Sequence, residues 1–75
     1  MTATSIEAEQ DALKRKIKKR INDELWERDD MKQRELAELI HEGESQVNRA
    51  INGEGSPKSK LIRKKIFQLF NITDI

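Results

Sequence analysis

The chain has 75 residues, 39% of them charged and 35% apolar, with a formal net charge of +1. That length holds one core and not two, so the expectation is a single domain over residues 1–75. Cysteine is absent and histidine occurs once, at His41. These counts exclude a disulfide framework, a thiolate nucleophile, and a metal site built on thiolates or on a pair of histidines. No run of about 18 apolar residues exists to span a membrane. The reading is a non-enzyme with no cofactor, no metal, no membrane and no small-molecule substrate. Lacking cysteine and a signal-type N-terminal run, it is expected in the cytoplasm.

The near-neutral total hides a segregation of charge. Residues 1–30 carry seven bases and eight acids, residues 31–55 three and five, and residues 56–75 five and one. The middle of the chain is mildly acidic and its last segment is basic.

Alternating β-branched and aromatic patterns are missing, whereas helix punctuation is clear. Thr4-Ser5-Ile6-Glu7 fits a capping box at the start of a long, charged first helix. Ile6, Leu13, Ile17, Ile21 and Leu25 then recur at helical spacing as its inward stripe. The run Lys14–Arg20 lies inside that helix. It reads as a solvated face paired with Glu7, Glu9, Asp11, Asp23 and Glu24. Consecutive charges over residues 27–30 break the stripe. Asp30 is the expected cap of a second helix, with Gln33 at its third position and Leu36, Ala37 and Ile40 inward. His41, Glu42 and Gly43 turn the chain, and Gly43 caps a third helix over about residues 44–51 that buries Val47, Ala50 and Ile51. Two glycines, Gly53 and Gly55, stop it. Ser56 as cap and Pro57 at the first helical position open a fourth helix. Its expected inward stripe is Leu61, Ile62, Ile66, Leu69 and Phe70, and Asn71 is the left-handed residue at its end. Leu39, Phe67 and Trp26 lie outside the minimal stripes. Most of the apolar residues are expected in the core of so small a domain, with one or two left as a partner or dimer surface.

Two short helices joined by a tight turn, the second polar on its outer side, are what a helix-turn-helix requires. The stretch from Gln33 through Leu36-Ala37 and Ile40, then Ser45, Val47, Arg49-Ala50 and Asn52-Gly53, resembles the lambda-repressor-like helix-turn-helix, the XRE class of Cro and related phage repressors. Glutamine at the start of the second helix, Leu-Ala, an aliphatic residue four positions after that leucine and a closing Asn-Gly all fall at matching offsets. The likeness covers about residues 31–72 and implies an all-α, compact four-helix domain, with the helix-turn-helix at about residues 31–52. At the tight turn the family favours glycine followed by an aliphatic residue, where this chain has His41 and Glu42. Lys32 stands where a serine or threonine cap is common.

Carried over by position, the resemblance places Gln33 at a phosphate, Glu44, Ser45, Asn48 and Arg49 at base edges, and Gln46, Asn52, Lys58 and Lys60 near flanking phosphates. The chemistry agrees in part. Arg49 can bond guanine O6 and N7 as a fork, and Asn48 or Gln46 can read adenine. Lys58 and Lys60 beside a helix N-terminus suit backbone phosphate. Two acids, Glu42 and Glu44, at the tip of such a helix face a polyanion and weaken non-specific binding.

Two functions follow. In the first, the chain is a small phage-type transcription regulator in a lysis/lysogeny-like switch. It binds double-stranded operator DNA through its third helix, as a homodimer spanning half-sites about 34 Å apart. In the second, it is an antirepressor that grips a partner repressor protein through the same surface. The near-neutral charge, the two glutamates and the extra apolar residues motivate that second reading.

Overall fold

Residues 2–27 contain no glycine or proline and are rich in good helix formers, so nothing local ends the first helix early. The computed structural model describes the backbone of residues 2–75 and the side chains of residues 10–75. It is all-helical among those residues: α1 Thr2–Glu27, α2 Gln33–Ile40, α3 Glu44–Ile51 and α4 Pro57–Leu69. Thr4 lies inside α1 and so does not cap it, contrary to expectation, because a cap residue needs extended backbone. The side chains of Thr4, Ile6, Glu7 and Glu9 lie outside the described ones. No described helix is long and apolar enough to cross a membrane.

The expected pairing of the basic run in α1 is met in part. Among the described side chains Lys19 and Arg20 pair with acids one turn on, whereas Lys14, Arg15, Lys16 and Lys18 are in no ion pair. Lys19 pairs with Asp23 at 2.8 Å, and Arg20 and Arg28 clasp Glu24 from one turn below and one turn above. Glu24 is buried; its carboxyl is held below the usual range by hydrogen bonds from Arg20 and then Arg28. Arg20 also reaches Asp74 at 3.1 Å, and the Arg28 guanidinium lies 4.2 Å from the centre of the Phe70 ring. These contacts tie the C-terminal half of α1 to the end of the chain.

Each connection is closed by a residue in the left-handed region. After α1, Asp29 and Asp30 take φ of 65° and 55°, and the Met31 amide donates to the Leu25 carbonyl at 2.9 Å. Asp30 therefore does not cap α2, contrary to expectation. A cap needs extended backbone, and Asp30 is used in closing α1. Lys32 holds the cap position (φ −84°, ψ 154°) with no side-chain bond, and Gln33 is the first helical residue rather than the third. The Asp30 carboxylate pairs with Lys32 at 2.7 Å instead.

After α2, His41 adopts φ 58°. Its amide donates to Glu38 O and the Glu42 amide to Ala37 O at 2.9 Å, the paired bonds of a Schellman end. Histidine thus takes a conformation that glycine takes more cheaply. Gly43 caps α3 through extended backbone. The same two-bond ending follows α3, with Gly53 at φ 87°, and follows α4, with Asn71 at φ 54°. At the start of α4 the Ser56 hydroxyl accepts from the Ser59 amide at 3.2 Å, with Pro57 just inside.

Among the described side chains, thirteen buried apolar residues from all four helices and the C-terminal tail form one core, from Ile17, Ile21 and Leu25 of α1 to Ile62, Ile66, Phe70 and Ile72. Burying each large aliphatic side chain is worth about 1.5–3 kcal/mol. Ile51 is in the core and Phe67 is half-buried against it. Three residues expected inside are exposed: Leu13, Leu61 and Leu69. In α4 the inward stripe is Ser59, Ile62, Ile66 and Phe70; Leu61 and Leu69 each sit one residue, about 100°, to its side. Among the described side chains of α1 the core begins at Ile17, one turn beyond Leu13.

Candidate nucleic-acid interface

Helix α3 spans eight residues, about 12 Å of axis. Val47, Ala50 and Ile51 take its inner side, which leaves Glu44, Ser45, Gln46, Asn48 and Arg49 to solvent, followed by Asn52 at its end. The sequence places them so because the three apolar residues recur at three and four.

Gln33, Glu44, Ser45, Asn48 and Arg49 line one open groove of about 430 Å³ between the start of α2 and the outer side of α3. Two of them, Gln33 and Asn48, are held in register by amides. Asn48 Nδ2 donates to Gln33 Oε1 at 3.0 Å, and Asn52 Nδ2 donates to Asn48 Oδ1 at 3.1 Å. Gln33 is thereby used as an acceptor, leaving its Nε2 hydrogens for a further acceptor. Arg49 stays largely exposed, its Nε 4.0 Å from the Glu54 carboxylate. The groove offers a guanidinium fork, a hydroxyl, amide donors and acceptors, and the acceptor-only Glu44.

Four of the nine expected residues lie outside that groove. Gln46 is exposed on the flank of α3, and Asn52 joins only through Asn48. Lys58 is tied to Glu42 at 2.8 Å. Lys60 lines other grooves, between α1 and α4 and along α4. A sequence signal for this parting exists: two residues apart on one helix are about 200° apart, so Lys58 and Lys60 cannot share a face.

Glu42 corrects the expectation of two acids at the tip of α3. Its side chain is only 6% exposed and turns away from the groove, toward α4, where Lys58 and Lys65 both donate to it. Those bonds, Lys58 first, hold its carboxyl below the usual glutamate range. A carboxylate thus occupies the place where the resemblance expects an aliphatic residue, and two lysines compensate it. Glu44 alone remains at the start of α3.

Arg63 was not singled out from the sequence. From α4 its Nη1 donates to Ala50 O at 3.1 Å and to Glu54 O at 2.8 Å, satisfying carbonyls at the end of α3. It positions α3 from behind. A cation in α4 two turns after a double-glycine stop was its only trace in the sequence.

Comparison of the chain with family models, with curated proteins and with solved structures finds no match.

Proposed function

We infer that this protein is a small DNA-binding transcription regulator that uses α2 and α3 as a lambda-repressor-like helix-turn-helix and reads operator DNA with the outer side of α3. The observation that carries the reading is the groove in which Gln33, Glu44, Ser45, Asn48 and Arg49 meet, with Gln33 and Asn48 bonded across the two helices. A glutamine at a helix start suits a phosphate, and α3 is short enough to lie in a major groove roughly 12 Å wide. Arg49 reads guanine as a fork, and Asn48 and Ser45 supply neighbouring amide and hydroxyl contacts. With Glu42 turned inward, the surface meets a polyanion with one fewer negative charge.

The test is titration of the protein into labelled duplex from its own promoter region at about 50 and 200 mM salt, where phosphate contacts weaken steeply with salt. Arg49→Ala should cost about 1–3 kcal/mol of specific affinity. Equal affinity of Arg49→Ala and the native chain would overturn the reading.

A second reading, an antirepressor that binds a partner repressor, is favoured by the exposed Trp26 and Leu39, at 73% and 54% exposure. Under it the protein alone leaves the duplex unbound, and adding it to a repressor–operator complex releases the repressor.

A further inference from the structure

Two adjoining grooves run along the side of α4 that carries Lys60 and Lys64. One, of about 550 Å³, is walled by Lys60, Arg63, Lys64 and Phe67 and closed by the C-terminal tail. The other, of about 450 Å³, continues from the shared Lys60 and Arg63 to Leu13 and Lys14 of α1. No carboxylate lines either groove among the described residues. Arg63 is engaged with the end of α3, but Lys14, Lys60 and Lys64 are exposed and in no ion pair among those residues. Between them lie Leu13, 51% exposed, and the half-buried Phe67. The surface is therefore cationic at its rim and apolar at its floor. A phosphate backbone would satisfy the lysines and leave the leucine and phenylalanine wet, whereas an acidic segment bearing an apolar side chain satisfies both.

The chain carries such a segment itself. On α2, Glu35, Glu38 and Leu39 lie at spacings of three and four, all on one exposed side, with Leu39 54% uncovered. Arg34 sits at the margin of that side, and Lys32 nearby is tied to Asp30. The net charge of +1 thus conceals an acidic face on α2 and a basic one along α4. We propose that a second copy of this chain docks the Glu35–Glu38–Leu39 face of its α2 into the Lys14–Lys60–Lys64 groove. Leu39 meets Leu13 and Phe67, and the two glutamates meet the lysines. The contact uses no residue that lines the Gln33–Arg49 groove.

Sedimentation equilibrium of the whole chain, without DNA, tests it. The native protein should self-associate at about 0.1 M salt and dissociate toward monomer at about 1 M, as the screening length falls from about 10 to about 3 Å. The double variants Glu35→Lys/Glu38→Lys and Lys60→Glu/Lys64→Glu change exposed side chains only, and circular dichroism checks that each stays folded. Each should weaken self-association at least tenfold, because each sets like charges against one another. An equimolar mixture of the two should regain much of it, since positions 35 and 38 again face opposite charges at positions 60 and 64, with Lys14 unchanged. A native chain that stays monomeric at low salt overturns the proposal, as does self-association that neither variant weakens or that mixing fails to restore. Loss of DNA affinity in Lys60→Glu/Lys64→Glu with self-association unchanged would make the groove a phosphate contact and overturn it equally.

Discussion

The outer side of α3 and the grooves beside α4 are both open to solvent and both polar, yet their polar groups are held in different ways. At α3 the side-chain amides of Gln33 from α2 and of Asn52 at the end of α3 are both bonded to that of Asn48, so their directions are set before any partner arrives. Beside α4 the lysines are held by nothing described and lie over apolar carbon. Preset directions suit recognition by hydrogen-bond pattern; exposed cations beside apolar side chains suit recognition by field and contact area. Near-neutral net charge conceals this division, because the acids that cancel the lysines sit mainly elsewhere.

Both surfaces depend on one core, so the comparison breaks first where the core breaks. Leu36 is fully buried in α2, the helix that carries both Gln33 and Glu38. Leu36→Ala should cost about 2–5 kcal/mol in urea melts. DNA affinity and self-association should both fall as the folded fraction falls.

Gly53→Ala should separate the two surfaces. Gly53 sits at φ 87°, and a Cβ there would lie 2.5 Å from Lys14 Cγ and 3.3 Å from Lys14 Cα. The left-handed backbone alone costs a non-glycine residue about 1–3 kcal/mol. The clash pushes on α1 at the wall of the basic groove and leaves the Gln33–Asn48 bond alone. Melts should show the loss, and self-association should suffer more than DNA binding measured on fully folded protein. Equal losses would mean that the two surfaces are mechanically one.

The smallest effect concerns the carboxylate behind α3. Glu42 is bound by Lys58 and Lys65 and its pKa lies below the ordinary value, so it stabilises the fold above the unfolded pKa and that contribution disappears as pH falls through the folded one. Glu42→Gln should therefore be less stable than the native chain at pH near 7 and should lose less on acidification. Some acid dependence should persist, because Glu24 and Asp74 are lowered as well, by bonds from Arg20 above all. Identical slopes of stability against pH for the two proteins would show that the Glu42 bridge contributes nothing.

Much of the helix plan was legible because it rests on local chemistry. Ser56-Pro57, Gly43, Gly53 and Asn71 each act within a few residues of themselves, and each stands where its side chain or its lack of one suggested. The grouping of Ser45, Asn48 and Arg49 on one side of α3 follows from the 3.6-residue turn. Asp30 was misread because two uses of one residue competed, capping the next helix and closing the previous one. Only the backbone path shows that the second prevailed.

Sequence by itself therefore determined the four helices, most of their inward stripes, and the polar face that α3 turns outward, since helical period and end chemistry act over a few residues. Tertiary structure alone decided that Glu42 is enclosed by lysines 16 and 23 positions further on, that Arg63 holds the end of α3, and that Leu13, Leu61 and Leu69 stay exposed. Charge and hydrophobicity say what a side chain needs; only the packing of distant helices decides which neighbour supplies it.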